Sequence, residues 1–267
     1  MKSLLLLNGS PRGERSNSMK MLARVAEGWQ RGGGRLPEVI HLAQKAGFRR
    51  AVEAFAEADV VLLGLPLYTD AMPAIVMAYI EALAPRVEHF RLIGRHQECN
   101  ESGSFLEKKP LGYMDSVNSR SENALAAAQQ GRANPSLAFL VQSGFPEARH
   151  SRPLERYLEK LARRLGSSYA GTIARGMGES LQSMPDKMNE KLWARLRTLG
   201  EQLARDGRFA AAELKAVAGI ERFSPLASAL LSVACKLPIV QYYWTSQLKK
   251  NGAWKHRFAA PYGPALL

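Results

Sequence analysis

The sequence predicts a doubly wound α/β protein built on a five-stranded parallel sheet in the order 2-1-3-4-5. Three observations predict it. Short apolar runs alternate with amphipathic, helix-length segments over the first two-thirds of the chain. The runs read as inner strands end in loops of small, hydroxyl-bearing or aromatic residues, as ligand-binding strand ends do. A chain of 267 residues with 46% hydrophobic content is long enough for one large core and a smaller appendage.

Taken in order, Ser3 to Asn8 is a continuous apolar run, the pattern of a strand buried on both faces. Asn17 to Arg31 carries Met21, Leu22, Val25 and Trp29 at helical spacing, and Gly32-Gly33-Gly34 stops it. Leu36 to Leu42 alternates as a second strand, and Phe48 to Ala58 reads as a helix with Val52, Phe55 and Ala56 on one face. Val60 to Leu65 is the third strand. Pro73 then sits where a first-turn proline belongs, ahead of a helix reaching Leu83.

Leu92 to Pro135 breaks this rhythm. It is rich in Ser, Asn and Gln, with one short helix expected over Glu122 to Gln129, and is read as a lid or mobile insertion. The alternation resumes with Ser136 to Gln142 as a strand, Leu154 to Gly166 as a helix and Tyr169 to Ala174 as a strand. Asp186 to Arg205 is the last long helix. Residues 1–206 are therefore expected to form the sheet domain, with an insertion at 92–135, and 207–267 a helical C-terminal extension.

Cys99 and Cys235 are far apart and lack metal-ligand spacing, which excludes a disulfide framework, a structural zinc and a four-cysteine cluster. Lone thiols of this kind fit a reducing, cytoplasmic setting. The apolar run at Leu4 to Leu7 is too short for a secretory leader, and Leu226 to Trp244 is interrupted by Lys236 and Pro238. The net charge is +13, and from Ser136 onward there are 20 basic and 10 acidic residues. Such a surplus attracts anionic ligands without naming them. The cations are scattered and no nucleic-acid-binding motif accompanies them.

Three loops carry the chemistry. After the first strand comes Asn8-Gly9-Ser10-Pro11-Arg12-Gly13-Glu14-Arg15-Ser16-Asn17-Ser18, leading into a helix. Small residues let the backbone wrap an anion, and the helix N-terminus offers unpaired N–H groups to it. Ser16 or Asn17 is also a candidate N-cap. The third strand ends in Leu65-Pro66-Leu67-Tyr68-Thr69-Asp70-Ala71-Met72-Pro73, an apolar and aromatic loop suited to a flat ring. The fourth ends in Gln142-Ser143-Gly144-Phe145-Pro146-Glu147, where Gly144 allows close backbone approach.

This set, in order and each after an expected strand, resembles the NAD(P)H-dependent FMN reductase group of flavodoxin-like proteins. The resemblance covers roughly Met1 to Arg205 apart from the insertion. It implies that Ser10, Arg12, Ser16, Asn17 and Ser18 hold the FMN phosphate, that Pro66, Leu67, Tyr68 and Met72 border the ring and ribityl chain, and that Gly144, Phe145 and Glu147 close the other side. It implies an oxidoreductase passing electrons from NAD(P)H, with NADPH favoured by the basic surplus, through FMN to a quinone, flavin or similar small acceptor. It also implies a homodimer. The flavin carries the chemistry, so no acid–base residue is required, and none of the five histidines is assigned a catalytic role.

The tail after Gly207 mixes leucines, aromatics and lysines. It is read as a helical subdomain packed on the core or on a dimer partner, in preference to a segment lying on anionic lipid. Two rivals to the enzyme are a one-electron carrier serving a protein partner and a non-catalytic binding protein that keeps the fold without the flavin, with membrane association through the basic tail as part of that alternative.

Overall fold

The computed structural model describes residues 1–83, 134–235 and 238–259. The insertion's expected helix at Glu122 to Gln129, and Cys99, lie outside the described residues. The chain divides into two compact units, Met1–Glu221 and Arg222–Leu267.

In the first unit the strands are β1 (Leu4–Asn8), β2 (Glu38–His41), β3 (Val60–Pro66), β4 (Ser136–Gln142) and β5 (Tyr169–Arg175). They form one parallel sheet in the order β2-β1-β3-β4-β5. The helices are α1 (Asn17–Arg31), α2 (Lys45–Ala54), α3 (Ala74–Leu83), α4 (Arg152–Arg164), a four-residue α5 (Ser180–Ser183), α6 (Asp186–Asp206) and α7 (Ala211–Ala218).

Alternate residues of each central strand feed two cores. Leu5, Leu7, Val61, Leu63, Phe139 and Val141 face α2, α3 and α4. Leu4, Leu6, Val60, Leu62, Ala138 and Leu140 face α1 and α6. Both sides are covered, which is why these strands read as unbroken apolar runs. β2 is shorter than the alternation of Leu36 to Leu42 predicts. Pro37 has no N–H to give a ladder, Leu36 is exposed, and β2 is an edge strand paired only with β1. The second helix begins earlier than Phe48 and ends in a 3₁₀ turn, Phe55–Glu57.

Helices α1 and α6 pack in direct backbone contact. A Cβ on Gly28 would lie 1.9 Å from the Arg197 carbonyl oxygen, and one on Gly200 would lie 2.0 Å from that of Val25. The contact seats Trp29 and Trp193 in the core. The ordered core continues past Gly207: Phe209 and Val217 are buried on the same face, with α7 against β5.

Candidate functional site

The β1 loop is organised by Asn8, the last residue of its strand. Its side-chain nitrogen donates to the Gly13 carbonyl at 2.7 Å and to Ser16 Oγ at 3.2 Å, and stands 3.0 Å from His41 Nδ1. Its oxygen accepts from the Ser10 amide at 3.1 Å. These bonds bend residues 9–16 back over the sheet edge. Ser16 is the N-cap of α1, accepting from the Met19 amide at 3.1 Å.

The β3 loop is a two-residue turn. Tyr68 and Ala71 exchange both backbone hydrogen bonds, at 2.9 and 3.0 Å, across Thr69 and Asp70 at φ +48° and +61°. Two central residues at positive φ make a tight primed turn, and a β-branched threonine there is strained. The turn leaves Tyr68 exposed at the tip while Leu67, whose amide donates to the Gln142 carbonyl at 2.8 Å, is buried.

The β4 and β5 loops are knitted together. The Met177 amide donates to the Phe145 carbonyl at 2.7 Å and the Gly178 amide to the Ser143 carbonyl at 2.6 Å. Gly178 lies close to Gln142: a Cβ there would lie 2.0 Å from Gln142 Oε1, the end of a side chain. The β5 loop also reaches the β1 loop. Glu179 accepts from Arg12 Nη1 at 3.0 Å, and Gln182 Nε2 donates to the Arg15 carbonyl at 3.2 Å.

Together the four strand ends enclose a cleft of about 320 Å³ open to solvent, lined by Ser10, Arg12, Ser16, Asn17, Pro66, Leu67, Tyr68, Gln142, Gly144 and Glu179. Asn17, 1% exposed, has neither its amide oxygen nor its amide nitrogen hydrogen-bonded. Nothing lies within 4 Å of a Cβ position on Gly144, so this side of the cleft is open.

Eight of the expected residues therefore line the cleft, and four do not. Ser18 is fully buried with its hydroxyl unpartnered. Met72 packs into the core under α3. Phe145 stands half-exposed with its ring centroid 4.6 Å from that of His150, and Glu147 pairs with Arg149 at 3.2 Å and His150 at 3.5 Å. Sequence reasoning missed Gln142 and Glu179 in the lining. Gln142 carried a signal, a polar side chain closing an apolar strand; Glu179 carried none.

Beside the cleft, Arg175 ends β5. Its Nη1 donates to the Val217 carbonyl at 3.0 Å, its Nε is buried without a partner, and burial pushes its pKa down. Arg152 grips Glu221 through two bonds, 2.9 and 2.7 Å, which fasten the chain after α7 to the first residue of α4. The Arg152 bond draws the Glu221 carboxyl below its ordinary value of 4.5.

A family model described as flavodoxin-like fold matches residues 2–203. The chain belongs to the flavodoxin-like fold family. Its sheet order and its cleft at the carboxyl ends of the strands are those of a doubly wound protein. No curated protein matches the sequence. Among solved structures it is similar to an azoreductase from Bacillus anthracis str. Sterne, at 14% identity over 77% of this chain and 100% of that one, with a TM-score of 0.45. It is similar to an FMN-dependent NADH-azoreductase from Bacillus anthracis str. Ames Ancestor in complex with FMN, at 13% identity, 76% and 100% coverage and a TM-score of 0.47. It is also similar to an NAD(P)H:quinone oxidoreductase from Methanothermobacter marburgensis, at 14% identity, 76% and 96% coverage and a TM-score of 0.49. The fold assignment rests on the family match and the sheet order. Among the described residues no helix is long and apolar enough to cross a membrane, and no three His, Cys, Asp or Glu side chains gather as a metal site.

Proposed function

We propose that this flavodoxin-like chain binds FMN in the cleft and acts as an oxidoreductase between NAD(P)H and a small acceptor such as a quinone or a flavin. The observation that carries this reading is Asn17. Its carboxamide is buried in the cleft wall with no partner for either polar atom, on the first turn of a 15-residue helix. An unpartnered buried amide costs roughly 1–3 kcal/mol, and a polar ligand at that end of the cleft repays it.

The residue types around the cleft suit the two ends of FMN. Ser10, Arg12, Ser16 and Asn17 surround the α1 N-terminus, where dipole, hydroxyls and guanidinium all favour a phosphate, with Ser18 behind them. Pro66, Leu67 and Tyr68 form the apolar wall for a flat ring, and open space at Gly144 leaves the facing side accessible. Met72 supports that wall from the core, and Phe145 and Glu147 stand at the rim of the β4 loop. When bound, FMN supplies hydride and electron chemistry. The chain's part is to hold its phosphate, to exclude water with Leu67 and Pro66, and to keep one face open to successive substrates. The basic surplus favours a phosphorylated donor, and the reading includes a cytoplasmic homodimer, checked by sedimentation.

The deciding measurement is the absorption spectrum of the purified protein before and after anaerobic NADPH. Flavin bands that bleach support the oxidoreductase. Bands that persist point to a carrier reduced by a protein partner. A colourless protein that refuses added FMN sinks the reading.

A further inference from the structure

Residues 222–267 contain six lysines and arginines and not one aspartate or glutamate. In this unit α8 (Pro225–Ala234) starts at Ser224, whose Oγ accepts from the Ala227 amide at 3.2 Å, with Pro225 in its first turn. The second helix is α9 (Pro238–Lys250). At 1.5 Å per residue they are about 15 and 20 Å long, well short of the roughly 30 Å of a bilayer's hydrocarbon core.

Helix α8 buries none of its residues. Leu226, Leu230 and Val233 are 71%, 63% and 63% exposed. Their spacing, i, i+4 and i+7, puts them on one face, an apolar stripe of the kind that marks a contact surface. In the last turn of α9, Lys249 Nζ lies 5.4 Å from the Trp254 ring centroid. Arg257 Cζ lies 4.0 Å from the Trp254 centroid and 4.7 Å from that of Phe258, which is itself 87% exposed. Cations laid over a half-buried Trp254 and an exposed Phe258 are the pairing found in segments at a lipid headgroup layer, where rings sit at the interface and long cationic side chains reach the phosphates.

We infer that residues 222–267 form a peripheral anchor for an anionic lipid surface. The α8 stripe and Phe258 enter the acyl boundary, and Lys249, Lys250, Lys255 and Arg257 meet the headgroup phosphates. The charge pattern selects this occupant. A second copy of the segment brings six cations against six with no carboxylate in either segment to pair them. Nucleic acid satisfies the cations but leaves the leucine stripe in water. A surface that is both anionic and apolar satisfies both, and the short helices lie on it rather than cross it.

The test is flotation of the full-length protein with vesicles of phosphatidylcholine alone and of phosphatidylcholine mixed with phosphatidylglycerol. The protein should float with the mixed vesicles and not with the neutral ones, and added salt should release it. Two variants separate the contributions: Leu226→Ser with Leu230→Ser, and Lys249→Gln with Lys250→Gln and Lys255→Gln. Each should lower binding on the order of tenfold or more while the thermal melt of the first unit is unchanged. Protein that stays with the soluble fraction for both vesicles overturns the inference. So does a solution dimer that the leucine variant dissolves, because the stripe then faces a second copy. The readout is independent of flavin content, so it stands or fails separately from the proposed activity.

Discussion

Arg12 and Glu179, 167 residues apart in sequence, meet at the cleft with Nη1 3.0 Å from Oε1 and 3.3 Å from Oε2. Their side chains are 51% and 41% exposed, so the pair adds little to stability. Its importance is positional: a carboxylate occupies the guanidinium that the proposed phosphate site offers.

Replacing that carboxylate should therefore favour an anion. Glu179→Gln is expected to tighten FMN binding several-fold at low salt, with the gain shrinking as ionic strength rises. Arg12→Gln should weaken it. Flavin fluorescence titrations at two salt concentrations check both. Weaker binding in Glu179→Gln would mean that Glu179 orients Arg12 rather than competing for it.

Asn17 separates stability from binding. Leucine is nearly isosteric with asparagine and removes two unpartnered polar atoms. Asn17→Leu should leave the ligand-free protein as stable or more stable, by up to about 1–2 kcal/mol, while FMN affinity falls about tenfold or more. Paired melts with and without FMN read both effects. An unchanged affinity would remove Asn17 from the site.

The helix contact under the site makes a stability prediction. In Gly200→Ala the new methyl meets the Val25 carbonyl oxygen and the Trp29 amide nitrogen, at 2.0 and 2.7 Å. Both are backbone atoms, so the helices must separate. The expected loss is about 3 kcal/mol, read as a lower denaturant midpoint. Gly28→Ala should act alike, and the double variant should lose less than the sum, because one separation serves both methyls.

Acid should loosen the Arg152–Glu221 clasp. The folded Glu221 carboxyl titrates below its ordinary 4.5 because Arg152 hydrogen-bonds its charged form. Its contribution is thus fully present above pH 4.5 and is lost as pH falls through the depressed folded value. Glu221→Gln should lower stability slightly at neutral pH and converge with the unaltered protein in acid. Thermal melts across pH 3 to 7, about the range spanned by carboxyl titration, check this. A difference that persists undiminished at the acid end would show that the clasp acts through something other than charge.

Much of this architecture is legible locally. Leu4 to Leu7, Val60 to Leu65 and Leu137 to Val141 announce buried strands because both of their faces are covered. Met21, Leu22, Val25 and Trp29 announce α1 because burial on one side of a helix repeats every 3.6 residues. Less legible were side chains whose role depends on a distant neighbour. Met72 belongs to the same loop as Tyr68, yet the strained turn at Thr69 and Asp70 sends it into the core. Phe145 is drawn to His150 instead of the cleft.

The sequence by itself determined the number and order of the strands, the doubly wound class and three of the loops that converge, since each follows from short-range periodicity and from the rule that parallel strands end on one edge. The tertiary structure alone decided that Glu179 faces Arg12, that Gln142 joins the cleft wall, that Gly28 and Gly200 carry a helix crossing, and that the leucines of α8 are exposed. Each of these is a meeting, or a failure to meet, between segments far apart in the chain. Sheet twist, register and helix approach set that distance, and no local pattern of residues encodes it.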